Sequence, residues 1–225
     1  MRMWIGLAAV APLIAAGVGS VNTLTDEERK SGYVLLFNGR DLTGWSGNPR
    51  VWKVEDGMIV GASDDYPIQL NTFLVYEKPF SDFHLSAEVR LRNGNSGLHF
   101  RSTHIPGPGW IVMGYQADFS DAGDRSAWGN FYEERGRSRT MMKTPDEGWQ
   151  VARKHVRPKD WNRIEVRAEG SRIRIWLNGV QTIDARDDKA ASGIIALQLH
   201  SGEPMRVEFR NLKLKPPSGK EASAK

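Results

Sequence analysis

Residues 83–91 read Phe-His-Leu-Ser-Ala-Glu-Val-Arg-Leu, with an apolar side chain at every second position. Because successive side chains of a β-strand point to opposite faces, this alternation predicts a strand with one buried face and one polar face. The same alternation recurs at residues 98–101, 115–120, 163–169 and 195–200. No segment after residue 31 keeps the period of 3.6 residues that is typical of an amphipathic helix. The sequence therefore predicts an all-β chain.

Two dipeptides mark turns between these short strands. Asp56-Gly57 and Asn178-Gly179 each separate two runs of alternating residues. Both dipeptides tolerate the positive φ angles of the two-residue turns that join antiparallel strands, so each predicts a β-hairpin. Strands of this number and spacing predict a sandwich of two packed antiparallel sheets.

The composition narrows the class of protein. The chain has 225 residues, of which 40% are hydrophobic and 26% are charged, and it contains no Cys. These values exclude a disordered chain, a fibrous chain and a small disulfide-rich domain. A chain of this length can bury a hydrophobic core without disulfide bonds. The 31 Lys and Arg residues against 27 Asp and Glu leave a net charge of +4. Because nucleic-acid-binding domains concentrate basic residues on one face, this small excess does not predict a nucleic-acid partner.

The N-terminus has the three-part order of a secretory signal peptide. Arg2 precedes an apolar run at residues 3–18, and small residues follow up to Ser20, where we expect cleavage. The alternative is an uncleaved membrane anchor, but the run is shorter than the roughly 20 residues that cross a bilayer comfortably. A lipoprotein anchor would require a Cys at the cleavage site, and the chain contains no Cys. The mature protein is therefore predicted to be periplasmic or secreted, with no membrane attachment after signal cleavage.

The chain divides into four predicted segments. Residues 1–20 form the signal peptide, and residues 21–30 form a short N-terminal helical segment. The helix is predicted because Thr25-Asp-Glu-Glu28 is a capping-box pattern. Residues 31–216 form one β-sandwich, and residues 217–225 form a flexible tail.

Four predicted strands carry unusual polar faces. On residues 163–169 the outward face alternates Arg and Glu, as on an ordinary solvated face, which antiparallel sheets commonly have. The other four faces instead carry residue types that suit sugar hydroxyls and proton transfer. They are His84 with Ser86, Glu88 and Arg90, His99 with Arg101, Gln116 with Asp118, and Gln198 with His200. A solvated face remains the alternative, and His200 could equally be a structural histidine at a strand end.

Several chemistries are excluded by missing motifs. The chain has no Cys nucleophile, no Gly-x-Ser-x-Gly elbow, no phosphate loop and no His-Glu-x-x-His zinc motif. A glycosidase that retains configuration places two carboxyl groups about 5 Å apart, and sandwich glucanases supply them from one strand face. No such array is present, which disfavours conventional two-carboxylate hydrolysis. Asp118, Glu133 and Glu134 could still converge in space.

Six motifs, in order along residues 31–216, resemble the bacterial domain of unknown function 1080, also called the 3-keto-disaccharide hydrolase domain. They are Leu36-Phe-Asn-Gly-Arg-Asp-Leu-Thr-Gly-Trp45, Asn95-Ser-Gly-Leu-His-Phe-Arg-Ser102, Gly114-Tyr-Gln-Ala-Asp118, Trp176-Leu-Asn-Gly179, Ile195-Ala-Leu-Gln-Leu-His-Ser-Gly202 and Phe209-Arg-Asn-Leu212. One departure is that many members carry Gly-Tyr-Glu-x-Gln at the third motif. In this chain the amide comes first, at Gln116, and the carboxylate second, at Asp118. This order resembles a second branch of the family.

The resemblance implies a concanavalin A-like jelly-roll β-sandwich whose concave sheet holds the site. It also implies a 3-keto-glycoside lyase or hydrolase, with a substrate that a separate sugar oxidoreductase has oxidised at C3. A C3 ketone acidifies the C2 proton, so a base can remove it and the C1 substituent can leave by β-elimination. Water addition to the resulting 3-keto-2-hydroxyglucal would complete a net hydrolysis.

The resemblance also suggests site residues by position. His200 or Asp118 would be the base, Arg101 would polarise the ketone, and Glu133 or Glu134 would protonate the leaving group. Substrate binding is assigned to Asn95, Ser96, His99, Gln116, Gln198, Trp128 and Tyr132. The two aromatic residues could stack on sugar rings, or they could pin the loop that carries them.

Two further alternatives stay open. No cofactor is certain, but Asp118, His200 and Glu133 could together hold a divalent cation. The chain could also be a noncatalytic carbohydrate-binding module or lectin, because one sandwich fold hosts both functions. A lectin needs amides and aromatic rings, but it does not need a poised His and a carboxyl group on the same face.

Overall fold

The computed structural model describes residues 21–121, 127–137, 139–142 and 153–217, and the predicted signal peptide and the end of the predicted tail lie outside these ranges. Helix α1 spans Asp26–Lys30. The Thr25 hydroxyl accepts the Glu28 N–H at 3.1 Å, and the Glu28 carboxylate accepts the Thr25 N–H at 2.8 Å. The predicted capping box is therefore confirmed. No helix of the described residues has the length and apolarity needed to cross a membrane.

Fifteen β-strands account for most of the described residues. They are β1 (Val34–Leu35), β2 (Trp45–Ser46), β3 (Trp52–Glu55), β4 (Met58–Ala62), β5 (Thr72–Phe80), β6 (Phe83–Leu91), β7 (Asn95–Ile105), β8 (Ile111–Ser120), β9 (Asn130–Glu134), β10 (Arg139–Met142), β11 (Asn162–Glu169), β12 (Arg172–Leu177), β13 (Val180–Arg186), β14 (Gly193–Leu199) and β15 (Arg206–Lys215).

The strands form two antiparallel sheets. The first sheet has the order β13-β12-β11-β6-β15-β4-β3, with β1 added beside β15, and the second has the order β10-β9-β8-β7-β14-β5-β2. Both predicted hairpins are present, because Asp56-Gly57 joins β3 to β4 and Asn178-Gly179 joins β12 to β13. All four turn residues have positive φ, as the turn type requires. The predicted jelly-roll sandwich of two antiparallel sheets is confirmed.

The main core lies between the sheets and follows from the alternation along each strand. On β6 the side chains of Leu85, Ala87 and Val89 are buried, and on β14 those of Ile195 and Leu197 are buried. Each strand therefore presents its remaining side chains on the outer face of its sheet. On β7, β8 and β14 that outer face belongs to the second sheet, and β9 lies beside them. The polar face of β6 belongs to the first sheet, so it does not join the other three as the sequence analysis expected.

The β7–β8 hairpin bends over the outer face of the second sheet. The bend occurs where Arg101 and Gly114 have positive φ angles of 45° and 143°. Beyond it, the hairpin returns to the free edge of β5, where the Phe73 N–H donates to the carbonyl of Trp110 at 3.1 Å. Val112 of the hairpin completes a second, small apolar cluster. Its other members are Phe73, Val75, Ile194 and Ala196. The hairpin thus covers one part of the outer face and leaves the polar part beside it.

Candidate functional site

The outer face of the second sheet gathers polar side chains from five strands and their ends. We call this set the polar cluster, and it consists of Asn71, Asn95, Gln116, Asp118, Tyr132, Glu134, Gln198 and His200. The members that lie on strands are placed there by strand alternation. On β8, Tyr115, Ala117 and Phe119 point into the core, so Gln116 and Asp118 point away from it.

Asp118 is the most enclosed carboxyl group of the polar cluster, with 8% of its surface exposed. One carboxylate oxygen accepts from Gln116 Nε2 at 2.9 Å and from Asn95 Nδ2 at 3.4 Å. Burial raises the pKa of Asp118 to about 6, although these amide hydrogen bonds oppose the rise. The nearby charge of Glu134 raises the pKa further. Asp118 is therefore a carboxyl group that can exchange a proton near neutral pH.

Gln116 reaches Asp118 by lying flat across β7 at Gly97. A Cβ atom at residue 97 would lie 2.3 Å from Cδ of Gln116, so the position requires glycine in this arrangement. Gln116 Nε2 also lies 3.5 Å from Oε1 of Gln198 on β14. The two amide groups line the face next to Asp118, where they can hydrogen-bond the hydroxyl groups of a ligand.

Glu134 supplies the second carboxyl group, from the end of β9. It is largely buried, and its Oε2 accepts from Gln198 Nε2 at 3.3 Å. Burial raises the pKa of Glu134, while the charges of Arg135 and His200 and the amides of Gln198 and Asn71 act in the opposite direction. Arg135 Nε lies 3.8 Å from the carboxylate.

His200 follows β14 directly and is partly exposed. Its Nδ1 lies 2.6 Å from the carbonyl oxygen of Ser201. Because a carbonyl can only accept, Nδ1 must carry the proton, and the neutral ring then presents a lone pair at Nε2. His200 is therefore able to accept a proton at Nε2.

Tyr132 stands between Phe131 and Glu133 on β9 and points toward the polar cluster. Burial raises the pKa of its hydroxyl, and the charges of Glu134 and Asp118 raise it further. The hydroxyl therefore stays protonated and can act as a hydrogen-bond donor to a bound ligand.

His99 lies on the predicted face, but it is completely buried. Its ring packs edge to face against Phe73 at 4.9 Å, and neither ring nitrogen has a hydrogen-bond partner. Burial lowers the pKa of His99 to about 3, although the neighbouring Gln116 opposes this. His99 is thus a neutral, buried ring beneath the site. It is not exposed to a substrate, contrary to the prediction that it binds one.

Arg101 does not join the polar cluster, contrary to the prediction from alternation. The positive φ of Arg101 and a register shift after Phe100 interrupt the strand, so the side chain leaves the face shared with His99. Its guanidinium donates to the carbonyls of Ser81 and Gly170 at 2.7 Å each and pairs with Asp82 at 2.9 Å. With 1% of its side chain exposed, Arg101 cannot polarise the ketone of a substrate on this face.

Glu133 also lies away from the polar cluster, because it is one residue from Glu134 and points to the other face of β9. Its carboxylate pairs with Arg137 and, at 2.5 Å, with Lys189 Nζ. These two cations hold the pKa of Glu133 below its usual range against the effect of burial. The choice between Glu133 and Glu134 as the candidate acid therefore falls on Glu134.

Two predicted substrate-binding residues are structural. Ser96 is fully buried, and its hydroxyl donates to the carbonyl of Gln198 at 2.7 Å. Trp128 is 3% exposed and stacks on Phe119 in the main core, so it cannot stack on a sugar ring. Asn95, Gln116 and Gln198 remain at the site, as predicted.

The three residues that could together hold a divalent cation do not share one face. Within the described part of the chain, no group of three or more His, Cys, Asp or Glu side chains is arranged to hold a metal ion. The reason is visible for the predicted trio, because Glu133 points away from Asp118 and His200.

One member of the polar cluster was not assigned from sequence, and Glu134 was assigned only as the alternative to Glu133. Extending the alternation to β9 could have decided between these two, because Phe131 is buried and the even-numbered residues share the opposite face. Asn71 precedes β5 and lies outside any alternating run, so nothing in the sequence marks it.

Comparisons with known proteins agree with this architecture. Residues 32–215 match the sequence model of the 3-keto-alpha-glucoside-1,2-lyase-like domain. No curated protein matches the sequence. Among solved structures, a candidate glycosyl hydrolase from Parabacteroides distasonis is 25% identical and covers 88% of this chain and 100% of its own, with a TM-score of 0.63.

Two more distant structures share the fold alone. The carbohydrate-binding module CBM66 from Bacillus subtilis is 22% identical and covers 76% of this chain and 94% of its own, with a TM-score of 0.55. A Bacillus subtilis protein of unknown function with a galectin-like fold is 12% identical and covers 78% of this chain and 90% of its own, with a TM-score of 0.55.

Proposed function

We propose, because the chain belongs to the 3-keto-alpha-glucoside-1,2-lyase-like domain family, that it cleaves glycosides already oxidised to a ketone at C3. The family and the fold make it a carbohydrate-active protein of the glycosyl hydrolase type. The finer assignment rests on one observation. Two buried carboxyl groups with raised pKa values, Asp118 and Glu134, share one sheet face with amides and a histidine.

The proposed reaction begins at C2 of the oxidised sugar. A base removes the C2 proton, and the electron pair forms an enolate whose charge rests on the C3 oxygen. The C1–O bond then breaks, the electron pair leaves with the aglycone oxygen, and that oxygen takes a proton from an acid. The product is a 3-keto-2-hydroxyglucal. Addition of water across its C1–C2 double bond gives the free 3-keto sugar.

Two residues are candidates for the base. Asp118 titrates near neutral pH because of burial, which matches a base that works at that pH. His200 is the alternative, because its Nδ1–H is bound to Ser201 and Nε2 is left to accept a proton. Asp118→Asn separates them, since it abolishes turnover at every pH if Asp118 is the base, whereas a His200 base leaves a measurable pH profile with an acidic limb.

Glu134 is the proposed acid for the leaving oxygen. Burial raises its pKa and so favours the protonated form that an acid needs. Tyr132 and the amides of Gln116 and Gln198 are the proposed donors to the enolate oxygen, in place of the buried Arg101. Hydrogen bonds to a charge that develops in the transition state are a large source of catalysis.

A noncatalytic sugar-binding function is the second candidate. The likeness to a carbohydrate-binding module shows only a common fold, which does not decide between binding and catalysis. The feature that favours catalysis is the pair of buried carboxyl groups with raised pKa values, since binding of a neutral sugar does not need them.

Incubation with a 3-keto-glucoside tests the proposal. The eliminated product is a conjugated enone, so ultraviolet absorbance should rise with the wild-type protein. Glu134→Gln should lower turnover by at least about a hundredfold, because general acid–base catalysis contributes about 10²–10⁴-fold. Glu133→Gln is the matched control, since the same change on the opposite face should leave turnover intact. Binding of the substrate without any cleavage would refute the enzymatic proposal and favour the sugar-binding alternative.

The setting of the reaction is part of the proposal. A separate oxidoreductase must supply the C3 ketone, because no residue of the polar cluster can remove a hydride from a sugar. Release from a signal peptide near Ser20 would place the enzyme in the periplasm or outside the cell, where its substrate would have to be oxidised or delivered.

A further inference from the structure

A cavity of about 450 Å³ lies on the outer face of the first sheet, away from the polar cluster. Its lining includes a row of side chains from three neighbouring strands. His84 of β6 stands opposite Arg167 of β11 on one side and opposite Lys215 of β15 on the other. Each of the three follows a residue that is buried in the main core, so all three point outward. Because paired residues have Cβ atoms about 5 Å apart, two cations flank one imidazole ring in the wall of the cavity.

His84 is held in one orientation by hydrogen bonds at both ring nitrogens. Its Nε2 lies 3.0 Å from Oε2 of Glu165, and its Nδ1 lies 2.7 Å from the hydroxyl of Tyr33. The hydrogen bond with His84 lowers the pKa of Glu165, so the carboxylate is ionised and accepts the Nε2 proton. In the neutral ring, Nδ1 then accepts the proton of the Tyr33 hydroxyl. Both nitrogens are therefore occupied, and the ring is a fixed wall between the two cations.

Neither cation of this row has a carboxylate partner among the residues that the structure describes. The guanidinium of Arg167 lies 5.8 Å from the ring centroid of Trp176, and Nζ of Lys215 lies 5.9 Å from that of Tyr33. Both distances are close to the limit of about 6 Å for a cation–π contact. These aromatic rings therefore leave both positive charges without a neutralising group.

The neighbouring cations of the same strands are neutralised. Lys213 of β15 pairs with Glu28 at 2.8 Å, and Arg210 of the same strand pairs with Glu88 at 2.6 Å. The row of Arg167 and Lys215 thus differs from the rows beside it, because an acidic group is missing where the sheet elsewhere supplies one.

The carboxylates that line the cavity are already used by other cations. Asp82 pairs with the buried Arg101 at 2.9 Å, and Glu169 pairs with Arg174. Each of these pairs is neutral as a whole. The charge that remains in the cavity is therefore that of the two unpaired cations, and it attracts an anion.

We propose that this cavity is a second binding site, which takes a small sugar-sized ligand that carries an oxyanion, either a carboxylate or a phosphate group. Arg and Lys bind such groups through charge-assisted hydrogen bonds. The volume lies within the range of small-molecule pockets, about 300–1,000 Å³. Tyr33, Pro216 and Pro217 add apolar surface to the lining, against which a sugar ring can pack. The inference goes beyond the proposed function, because this site shares no residue with the polar cluster and requires no cleavage.

Titration of the wild-type full chain by nuclear magnetic resonance tests the proposal without any variant. The probes are glucuronate, which carries a carboxylate, glucose 6-phosphate, which carries a phosphate, and glucose, which is neutral. At constant ionic strength, the backbone amide signals of His84, Arg167 and Lys215 should shift to saturation with at least one anionic probe and stay in place with glucose. A response to only one of the two anions identifies the group that the site selects. No saturable shift with either anion, an equal response to glucose, or shifts confined to the polar cluster would overturn the proposal.

Charge removal tests which cations bind the anion. Arg167→Gln and Lys215→Gln should each weaken binding of the anionic probe about tenfold or more, because each removes a charge-assisted hydrogen bond. Both variants should fold, since neither cation leaves an acidic partner behind. Arg172→Gln is the matched control, because it removes the same charge from β12 of the same sheet, where Arg172 pairs with Asp184 at 2.6 Å. It should leave the affinity unchanged. Equal weakening in all three variants would show that only the total charge matters and would overturn the proposal.

Discussion

Asp118 is the residue at which the proposed chemistry and the stability of the fold make opposite demands. Its pKa is raised by burial from 3.8 to about 6. A carboxyl group with a folded-state pKa above its unfolded value stabilises the fold in its protonated form, fully below about pH 4. That contribution is lost as the pH rises through about 6. At neutral pH the ionised group therefore costs up to about 3 kcal/mol of stability.

Asp118→Asn should show this conflict directly. We expect turnover to be lost while the free energy of unfolding at pH 7 rises by about 1–3 kcal/mol, because the amide is never charged. The gain should vanish toward pH 4, which urea denaturation at both pH values can measure. Asp184→Asn is the control, since the exposed pair with Arg172 lowers the pKa of Asp184 and its loss brings no gain. An Asp118→Asn variant that is no more stable at pH 7 would contradict the assignment.

Single residues show where sequence reasoning succeeds and where it stops. Strand alternation correctly placed Gln116, Asp118 and Gln198 on one outer face, because regular strands obey a period of two. It failed at Arg101, where a positive φ and a register shift turn the side chain away. The place of Asn71 at the site depends on its hydrogen bonds with Ser201, which is 130 positions away, so no local pattern could reveal it.

At the scale of elements, the crossing of Gln116 over β7 sets the geometry of the site. Gly97 provides the space, since a Cβ there would meet the Gln116 side chain at 2.3–2.4 Å. The atoms that would have to move belong to a flexible side chain, not to backbone. The strand can therefore tolerate a methyl group, but the Gln116 amide cannot keep its place beside Asp118.

Gly97→Ala should separate catalysis from folding. We expect the melting temperature to change little, while kcat/KM falls about tenfold or more and its acidic limb moves to higher pH. The limb moves because Asp118 loses the Gln116 hydrogen bond that lowers its pKa. Gly61→Ala is a suitable control, because its Cβ would meet Trp52 in the first sheet at 2.5 Å and should lower stability without moving the limb. An unchanged pH profile in Gly97→Ala would argue against the Gln116–Asp118 contact.

The elements themselves were largely predictable. The two hairpin dipeptides and the alternating runs predicted strands that the structure contains, because local turn chemistry and side-chain period act within a few residues. The return of the β7–β8 hairpin to β5 was not predicted. That feature depends on contacts of Trp110 and Val112 with residues about 40 to 80 positions away, which no local signal encodes.

At the scale of the whole molecule, the outer faces of the two sheets carry different kinds of side chain. The outer face of the second sheet holds the polar cluster, whereas the outer face of the first is covered by ion pairs and by stacked cations. The ring of Trp161, for example, contacts the guanidinium groups of Arg90 and Arg210, which lie 4.8 Å and 4.0 Å from its centroid. The N-terminal segment packs on this first sheet, since β1 pairs with β15. Changes in this segment should therefore affect stability and leave the site untouched.

Asn22 fastens the N-terminal segment to the first sheet. Its side-chain oxygen accepts the N–H of Asn211 at 2.8 Å, its Nδ2 donates to the carbonyl of Gly57 at 2.6 Å, and its own N–H donates to Asn211 Oδ1 at 2.6 Å. The residue is largely buried. Removing a buried partner leaves the opposite group unsatisfied, at a cost of about 1–3 kcal/mol. Processing near Ser20 would keep this contact in the mature protein.

Two chains whose first residues lie three positions apart test the contribution of Asn22 to stability. A chain that begins at residue 21 should have full stability, whereas one that begins at residue 24 keeps the helix cap Thr25 but lacks Asn22. The shorter chain should melt about 5 °C lower, as the loss of 1–3 kcal/mol in a domain of this size implies. Its pH profile should be unchanged, because Asn22 contacts only the first sheet. Equal melting temperatures would contradict the role of Asn22, and an exported protein whose first residue lies beyond Asn22 would contradict cleavage near Ser20.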